Sequence, residues 1–490
     1  MFGNLRPYVL DEPVRAIAHG LLPAGWVERR LGTIGAFTAS GIDKKLIDGE
    51  PQVRIVNYLD VFRNPSHALT RRREYMSVTC PAWKRAAHQV KRGDLIFTPS
   101  SETADEIGRS AVALEDLDNT AYSYHVLRFR PTARIDADFA RFWCNHTAFY
   151  DQLAAASTGT TRKILGRGDF RNVLVVVPPY EDQRAIAKYL GHAHMRIDRA
   201  IAAKRKLIAL LEEQKQAIIL QAVTRGLDPT VPLKDSGIPW LGDIPAHWQG
   251  VRLKALLSSG PNNGVSPPIT EDGDLATFSL AAVRDGVVSV KASSIKYVAR
   301  SSVPRHADFE LCKGDVVLVR GNGNVNLVGR AALVESDLPD SIYPDLIIRI
   351  RLTETANPAF VVLALNSRPV RTQIEVAART AVGTFKINAE TLKSLCLGLP
   401  PLADQSAIVN GLGVSTASLA TAIATATREV TLLREFRTRL TSDVVTGQVD
   451  VREIAASLPE LTDDLLADTS DDAEDSLGDI AEESIEGAED

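Results

Sequence analysis

The sequence predicts an α+β protein built by duplication: two tandem mixed α/β globules, each followed by a long helix. Three observations carry this. The first is the stretch 177–225, VPPYEDQRAIAKYLGHAHMRIDRAIAAKRKLIALLEEQKQAIILQAVTR. A Pro-Pro step precedes Glu181 and Asp182, and carboxylates favour a helix N-terminus. Gly191 is then the only Gly or Pro before 226. Leu190, Ile197, Leu211 and Ile218 fall on one heptad series, which Lys204 interrupts, while Ile186, Ile201 and Ile208 widen the stripe. That period is a helix with a coiled-coil seam, suited to a spacer rather than a catalytic core. The second observation is that this rod recurs. Pro178, Pro179, Asp182, Gln183, Ala185 and Ile186 each recur 222 positions later, as Pro400, Pro401, Asp404, Gln405, Ala407 and Ile408. A period of nearly half the chain is a duplication, not a solenoid. The third is a strand-and-turn frame that repeats between the rods.

A chain of 490 residues is too long for one core. No apolar run is read as membrane-spanning, and the opening MFGNLRPYVLDEPVR carries no signal-peptide core. Four separated cysteines without a CxxC point to a reducing cytoplasm and away from structural zinc; no metal site is expected. The net charge of −5 hides a local imbalance. Residues 460–490 hold 14 Asp or Glu and no Lys or Arg; without them, 56 basic residues face 47 acidic ones. The tail therefore reads as a disordered acidic segment, for solubility or for competition with DNA over a basic surface.

In chain order, residues 1–20 are a lead-in. The turn Leu22-Pro23-Ala24-Gly25-Trp26 matches Ile244-Pro245-Ala246-His247-Trp248, with each Trp expected as a packing plug. Lys91-Arg92-Gly93-Asp94 and Cys312-Lys313-Gly314-Asp315 are tight turns opening strands. Residues 124–129 and 345–350 read as buried strands. Helices are expected over 138–156 and 358–378, followed by Gly159-Thr160-Thr161-Arg162-Lys163-Ile164 and Gly383-Thr384-Phe385-Lys386-Ile387. Residues 226–243 read as a helix stop and an irregular connection.

Catalytic motifs are absent: no GxxxxGK[ST], HExxH or GxSxG occurs. Val177-Pro-Pro-Tyr180 imitates the (Asn/Asp)-Pro-Pro-Tyr motif of amino-methyltransferases, but valine offers no acceptor to a target amino group. His192 and His194, two apart, read as surface histidines. Basic and polar stretches suited to phosphates and base edges remain. In the first globule these are Arg71, Arg72, Arg73, Tyr75, Lys84, Arg85, Ser100, Ser101, Thr160, Arg162 and Lys163. In the second they are Arg320, Asn322, Asn324, Asn326, Thr384 and Lys386.

Together these residues resemble the specificity subunit of type I restriction–modification systems. KDSGIPWLGDIPAHW at 234–248 looks like the family's KDSG…WxGxIPxHW opening, and the Pro-Pro…Gln…Ile entrance to each rod also fits. The first copy keeps only LPAGW of that opening. The resemblance implies two target-recognition domains, each reading half of a split double-stranded DNA site. It implies long helices paired as an antiparallel coiled coil, a pseudo-twofold duplication that fixes the half-site spacing. The subunit would bind no cofactor and perform no chemistry. It would dock two methyltransferase (M) subunits using S-adenosylmethionine and a restriction (R) subunit using ATP with Mg. Docking candidates are Gln183, Ile186, Leu190, Ile197, Leu211, Ile218, Gln405, Ile408, Leu412, Leu419, Leu433 and Leu440.

The expected divisions are a lead-in at 1–20, a recognition domain at 21–178, a helix at 179–225 and a linker at 226–243. A second recognition domain at 244–401, a helix at 402–455 and the acidic tail at 456–490 follow. Two other classes compete. A stand-alone adenine methyltransferase would need an intact acceptor in the Pro-Pro motif and a cofactor fold. A coiled-coil scaffold would explain the rods but not two diverged basic globules in one frame.

Overall fold

The structure is a computed structural model that describes residues 22–270, 272–283, 286–381 and 384–460. The lead-in, Gly383 of the second hairpin and the tail from Leu461 lie outside the described residues. The chain forms two compact units: one contains residues up to Lys206 and from Thr427 onward, the other Leu207–Ala426. Both long helices are thus divided between the units, unlike the sequential divisions read from the sequence.

Each unit is built on the same sheet. In the first, Gly35–Thr38, Leu127–Pro131, Leu95–Phe97, Ser110–Ala113 and Ala68–Leu69 lie side by side in that order. In the second, Leu257–Asn263, Ile347–Leu352, Val316–Val319 and Ala331–Leu333 repeat the first four places. A three-stranded sheet accompanies each. Gln52–Val56 pairs antiparallel with Met76–Thr79 and parallel with Thr120–Tyr122. Leu275–Phe278 does the same with Ile295–Val298 and Ser341–Ile342. The Gly-Asp turns form as expected, with φ of +85° at Gly93 and +89° at Gly314. That left-handed backbone is one glycine adopts without steric cost.

Both stretches read as single helices are two. Ala137–Trp143 and Thr147–Ala156 break around Asn145, and Pro358–Leu365 and Arg368–Ala377 break around Asn366. Each asparagine hydrogen-bonds a strand backbone through both ends of its carboxamide. Asn145 takes Ser110 N–H at 3.1 Å and donates to Ser110 O at 3.1 Å; Asn366 takes Ala331 N–H at 3.0 Å and donates to Ala331 O at 2.8 Å. A side chain that satisfies strand groups competes with continuous helix.

The tryptophans are packing plugs: Trp26 is 4% and Trp248 1% exposed. Trp26 Nε1 also donates to Asp182 Oδ2 at 2.8 Å, tying the turn to the helix start. In the second unit His247, not Trp248, makes the equivalent bond, to Asp404 at 2.9 Å. The expected irregular linker is instead an antiparallel hairpin, Leu233–Asp235 with Asp243–Pro245, that delivers Leu241 and Ile244 into the second unit's core.

The first long helix, Tyr180–Arg225, has 46 residues, about 69 Å at 1.5 Å each. The second, Leu402–Val445, has 44 and stops ten residues short of the expected end. Gly447 has φ +79°, and a Cβ there would lie 2.7 Å from Pro23 and 2.9 Å from Trp26, so the chain turns where the anchor leaves room only for glycine. Arg452–Ser457 is a separate short helix.

Within the first unit the helices run antiparallel. His194 meets Thr441 at 2.8 Å, Asp198 meets Arg437 at 2.6 Å and Lys204 meets Glu429 at 2.7 Å, one index rising as the other falls. Lys204, which interrupts the heptad series, is therefore half of an ion pair.

The second helix also corrects the membrane reading: by length and composition it could cross a membrane, and only 11% of its most apolar stretch is buried. No charge occurs from 406 to 427, and threonine hydroxyls there bond back within the helix. Thr416, Thr421 and Thr425 bond the carbonyls of Leu412, Ala417 and Thr421 at 2.8–3.0 Å.

Candidate nucleic-acid interface

In each unit a short ribbon forms a sheet of its own, separate from the main sheet. In the first, Ser100–Ser101 pairs antiparallel with Lys163–Ile164, so that Lys163 faces Ser101 and Ile164 faces Ser100. In the second, Gly321–Asn322 pairs with Thr384–Lys386, with Gly321 opposite Lys386 and Asn322 opposite Phe385. The next bond fixes the correspondence: Leu165 N–H to Pro99 O at 2.8 Å, Ile387 N–H to Arg320 O at 2.9 Å. Leu165, not Ile164, is therefore the counterpart of Ile387. Exposed Ile164 corresponds to exposed Lys386, and a one-residue slip of this kind exchanges the two faces of a strand.

The first ribbon gathers five sequence candidates, Ser100, Ser101, Thr160, Arg162 and Lys163. Thr160 and Arg162 are exposed, and Gly159, at φ +109°, permits the turn; a Cβ there would overlap Arg162 O at 2.1 Å. Arg162 Nε donates to Ser100 Oγ at 3.3 Å. Among the described residues Arg162 and Lys163 have no carboxylate partner. Beside them lies a group that sequence reasoning missed. Tyr58 donates its hydroxyl to Ser100 O at 2.9 Å and stacks on Phe62 at 5.1 Å; the Arg109 guanidinium covers Phe62 at 4.9 Å. Burial first, then the charge of Glu106, holds the Tyr58 phenol above its ordinary range against nearby Arg162 and Arg109. The available signal was YLDVF, an aromatic pair four residues apart.

The second ribbon presents Asn322, Asn324 and Lys386. Asn322 Oδ1 accepts Asn324 N–H at 2.8 Å, and Asn324 Oδ1 accepts Asn326 N–H at 2.9 Å. These Asx turns occupy the carbonyl ends and leave both NH₂ groups without a partner among the described residues. Lys386 is exposed and Thr384 half-buried. Arg320 lies 4.0 Å from Asp345, and Asn326 gives its carbonyl to Arg371 at 2.9 Å.

Other candidates stand apart or drop out. Arg71 is neutralised locally by Glu115 at 3.5 Å and Asp118 at 3.2 Å. Arg72 is exposed and Arg73 half-buried. Tyr75 is 8% exposed, packs in the core and gives its hydroxyl to Thr70 O, so it has no ring face for a base. Ser101, 1% exposed, is likewise removed. Lys84 donates to Gly41 O at 2.8 Å, Arg85 donates to Asn119 at 3.3 Å, and Trp83 beside them stays exposed.

The helix candidates need similar correction. Gln183 and Gln405 are clamps, 1% and 0% exposed. Gln183 accepts Asp136 N–H at 2.8 Å and donates to Pro178 O at 2.9 Å; Gln405 accepts Asn357 N–H at 2.7 Å and donates to Pro400 O at 2.9 Å. Ile186, Leu190, Ile197, Ile408, Leu412 and Leu440 are buried in their own units. Leu211, Ile218, Leu419 and Leu433 remain partly accessible, and the large apolar side chains of the helices that face outward are Leu207, Leu210, Leu402, Val414, Leu432 and Phe436. His194 is no surface histidine: it packs edge-on against Phe142 at 5.0 Å, and burial, then Arg437 and Arg141, hold it well below the ordinary imidazole range.

One face of Tyr180 of the Pro-Pro motif is covered by Arg134, 3.8 Å from the ring centre. His306, Glu310 and Asp340 gather within 4.8 Å, but Arg300 Nη1 lies 2.9 Å from both His306 Nε2 and Asp340 Oδ1, a guanidinium where a cation would sit.

No protein-family model matches the chain. It is 24% identical over 336 residues to the EcoKI specificity subunit of Escherichia coli (strain K12), covering 66% of this chain and 68% of that one. It is 21% identical over 327 residues to the StySPI specificity subunit of Salmonella potsdam, with the same coverage. A solved chain from work on complex assembly and conformational transition of the type I R-M system shares the fold. Its TM-score is 0.59 at 18% identity, over 86% of this chain and 98% of that one. In sequence, over 66% of its length, this protein is similar to the specificity subunits of type I restriction enzymes, and over 86% of its length it shares its fold with a chain from a type I R-M system.

Proposed function

We propose that this chain is the DNA-specificity subunit of a type I restriction–modification complex, and that each unit reads one half of a bipartite site. The observation that carries it is the repeated ribbon. Two copies of one frame each carry a short strand pair bearing cations or amide donors without carboxylate partners among the described residues: Arg162 and Lys163 in one, Asn322, Asn324 and Lys386 in the other. Cations of this kind serve phosphates, and carboxamides and arginine serve base edges. Because Ser100, Arg162 and Lys163 stand where the second ribbon has Gly321, Thr384 and Phe385, the two half-sites differ.

The long helices continue from one unit into the other and set the spacing between half-sites. Of their outward apolar residues, Leu207, Leu210, Val414 and Leu432 dock two methyltransferase subunits, and a restriction subunit completes the assembly. The chemistry belongs to those partners, which use S-adenosylmethionine, and ATP with Mg. The chain itself is not an enzyme, and its place is the cytoplasm, where free Cys80, Cys144, Cys312 and Cys396 stay reduced.

The test is to incubate the chain and its methyltransferase partner with DNA and labelled S-adenosylmethionine, together and apart. The complex methylates a split sequence and the chain alone transfers no methyl group. Methyl transfer by the isolated chain would overturn the reading.

A further inference from the structure

On the outward side of the first ribbon the central side chain is apolar. Ile164 pairs with Ser100 on one side and bridges to Thr158 on the other, where Ile164 N–H meets Thr158 O at 2.8 Å. Residues directly opposite on neighbouring strands share a face, so Ile164 is flanked by two short hydroxyl side chains. It is 54% exposed, while Leu165, the next residue along the strand, is buried. Arg162 reaches the same face, since its Nε donates to Ser100 Oγ at 3.3 Å.

The second ribbon shows that the frame does not require an apolar group at this place. Lys386 occupies it, in register between Gly321 and Arg379 and just before buried Ile387. Lys386 is exposed. A position that holds isoleucine in one copy and lysine in the other is not set by packing. An isoleucine facing water gains nothing from its apolar surface until a partner covers it. Here it stands among hydroxyls and cations suited to phosphates and base edges. The apolar group that base edges offer in the major groove is the thymine C5-methyl. A β-branched side chain, stiff at χ1, presents its methyl groups with little rotamer freedom to lose.

We propose that Ile164 is a specificity-determining residue that reads the C5-methyl of one thymine in the half-site bound by the first unit. Lys386 leaves the second unit without a methyl contact at the equivalent place. The inference rests on the DNA reading above and adds the base and the atom that the first ribbon recognises.

The test removes the methyl group alone. The complex of this chain with its methyltransferase partner is bound to duplexes carrying its mapped site, with each thymine in turn replaced by uracil. Uracil keeps every hydrogen-bonding group. Burial of one methyl corresponds to about a fourfold change in Kd. At least one thymine should show that loss, and Ile164→Ala should bind thymine and uracil equally at one such position. Lys386→Ala should keep the loss. A site with no uracil-sensitive thymine, or sensitivity that survives Ile164→Ala at every position, would overturn the proposal and leave the DNA reading standing. Failure of the parent complex to modify any split site would overturn both. A second arm maps methylation by the Ile164→Lys complex. The T·A preference at that one position should disappear while the other half-site keeps its bases. A retained T·A preference there would contradict the proposal.

Discussion

Asp94 and Arg130 form a two-point ion pair, with Nε to Oδ1 and Nη2 to Oδ2 both 2.6 Å. Asp315 and Arg351 repeat it 221 positions later, at 2.7 and 3.2 Å. Each aspartate also accepts the backbone N–H that opens its Gly-Asp turn: Lys91 at 2.8 Å in one unit, Cys312 at 2.9 Å in the other. One carboxylate thus joins the turn to the neighbouring strand in both copies. Bidentate pairing with a fixed fork gives geometry as well as energy.

Asp94 is 1% exposed, and Asp94→Ala should cost about 3 kcal/mol, the low end for a broken buried pair because Arg130 stays open to water. Urea unfolding followed by probes in each unit should show the first unit weakened and the second unchanged. A loss under about 1 kcal/mol would show that the pair is not holding the turn.

The double substitution Arg162→Ala with Lys163→Ala should weaken DNA binding and flatten its salt dependence, by about 0.9 in log–log slope for each phosphate left without its cation. Stability should stay within about 0.5 kcal/mol, because neither side chain has a carboxylate partner to lose. Tyr75→Phe should do the reverse, affecting stability through its bond to Thr70 and leaving DNA binding alone. Binding isotherms at four salt concentrations decide between these outcomes.

His67 gives the first unit a pH dependence. Burial first, then Arg437, Arg109 and Arg141, lower it from 6.5 to about 4 against the opposing bond to Ser110 O. The folded state therefore excludes a proton that the unfolded chain accepts. The stability due to His67 is fully present above pH 6.5 and is lost as pH falls from 6.5 to about 4, up to about 3 kcal/mol in all. His67 has φ +53°, which asparagine tolerates, so His67→Asn should flatten the acid limb of the stability curve while keeping the fold. An acid limb as steep as in the parent would show that His67 is not its source.

The duplication and the fold class were legible because they rest on repeated residues with strong local signals: Pro-Pro helix starts, Gly-Asp turns and heptad spacing. The breaks at Asn145 and Asn366 were not, since each depends on a strand far off in sequence that accepts the carboxamide. Heptad periodicity marked which side chains are buried but not by what. Ile186, Leu190 and Ile408 satisfy it inside their own units, so the outward residues Leu210 and Val414 were missed. For the candidate interface, composition found Arg162 and Lys386 but also took Tyr75, whose Arg neighbours suggested a surface that the core withdrew. Tyr58 and Arg109 come to Ser100 only through the tertiary fold.

If the helices set half-site spacing, lengthening both should lengthen the spacer. Lys204 faces Glu429, so seven residues inserted before Lys204 and seven after Glu429 keep the local pairing and the heptad phase. The addition is about 10.5 Å, or about three base pairs at 3.4 Å each. Methylation mapping should show a longer spacer flanked by unchanged bases. An unchanged spacer in a folded variant would remove the helices from that role.

The most direct test of the central claim is exchange of one reader. Replacing residues 27–175 with the corresponding segment of a relative, and sequencing methylated adenines in DNA modified by the complex, asks whether the units read independently. The account predicts that one half of the site changes and that the other half keeps its bases. A change in both halves, or in neither, would contradict it.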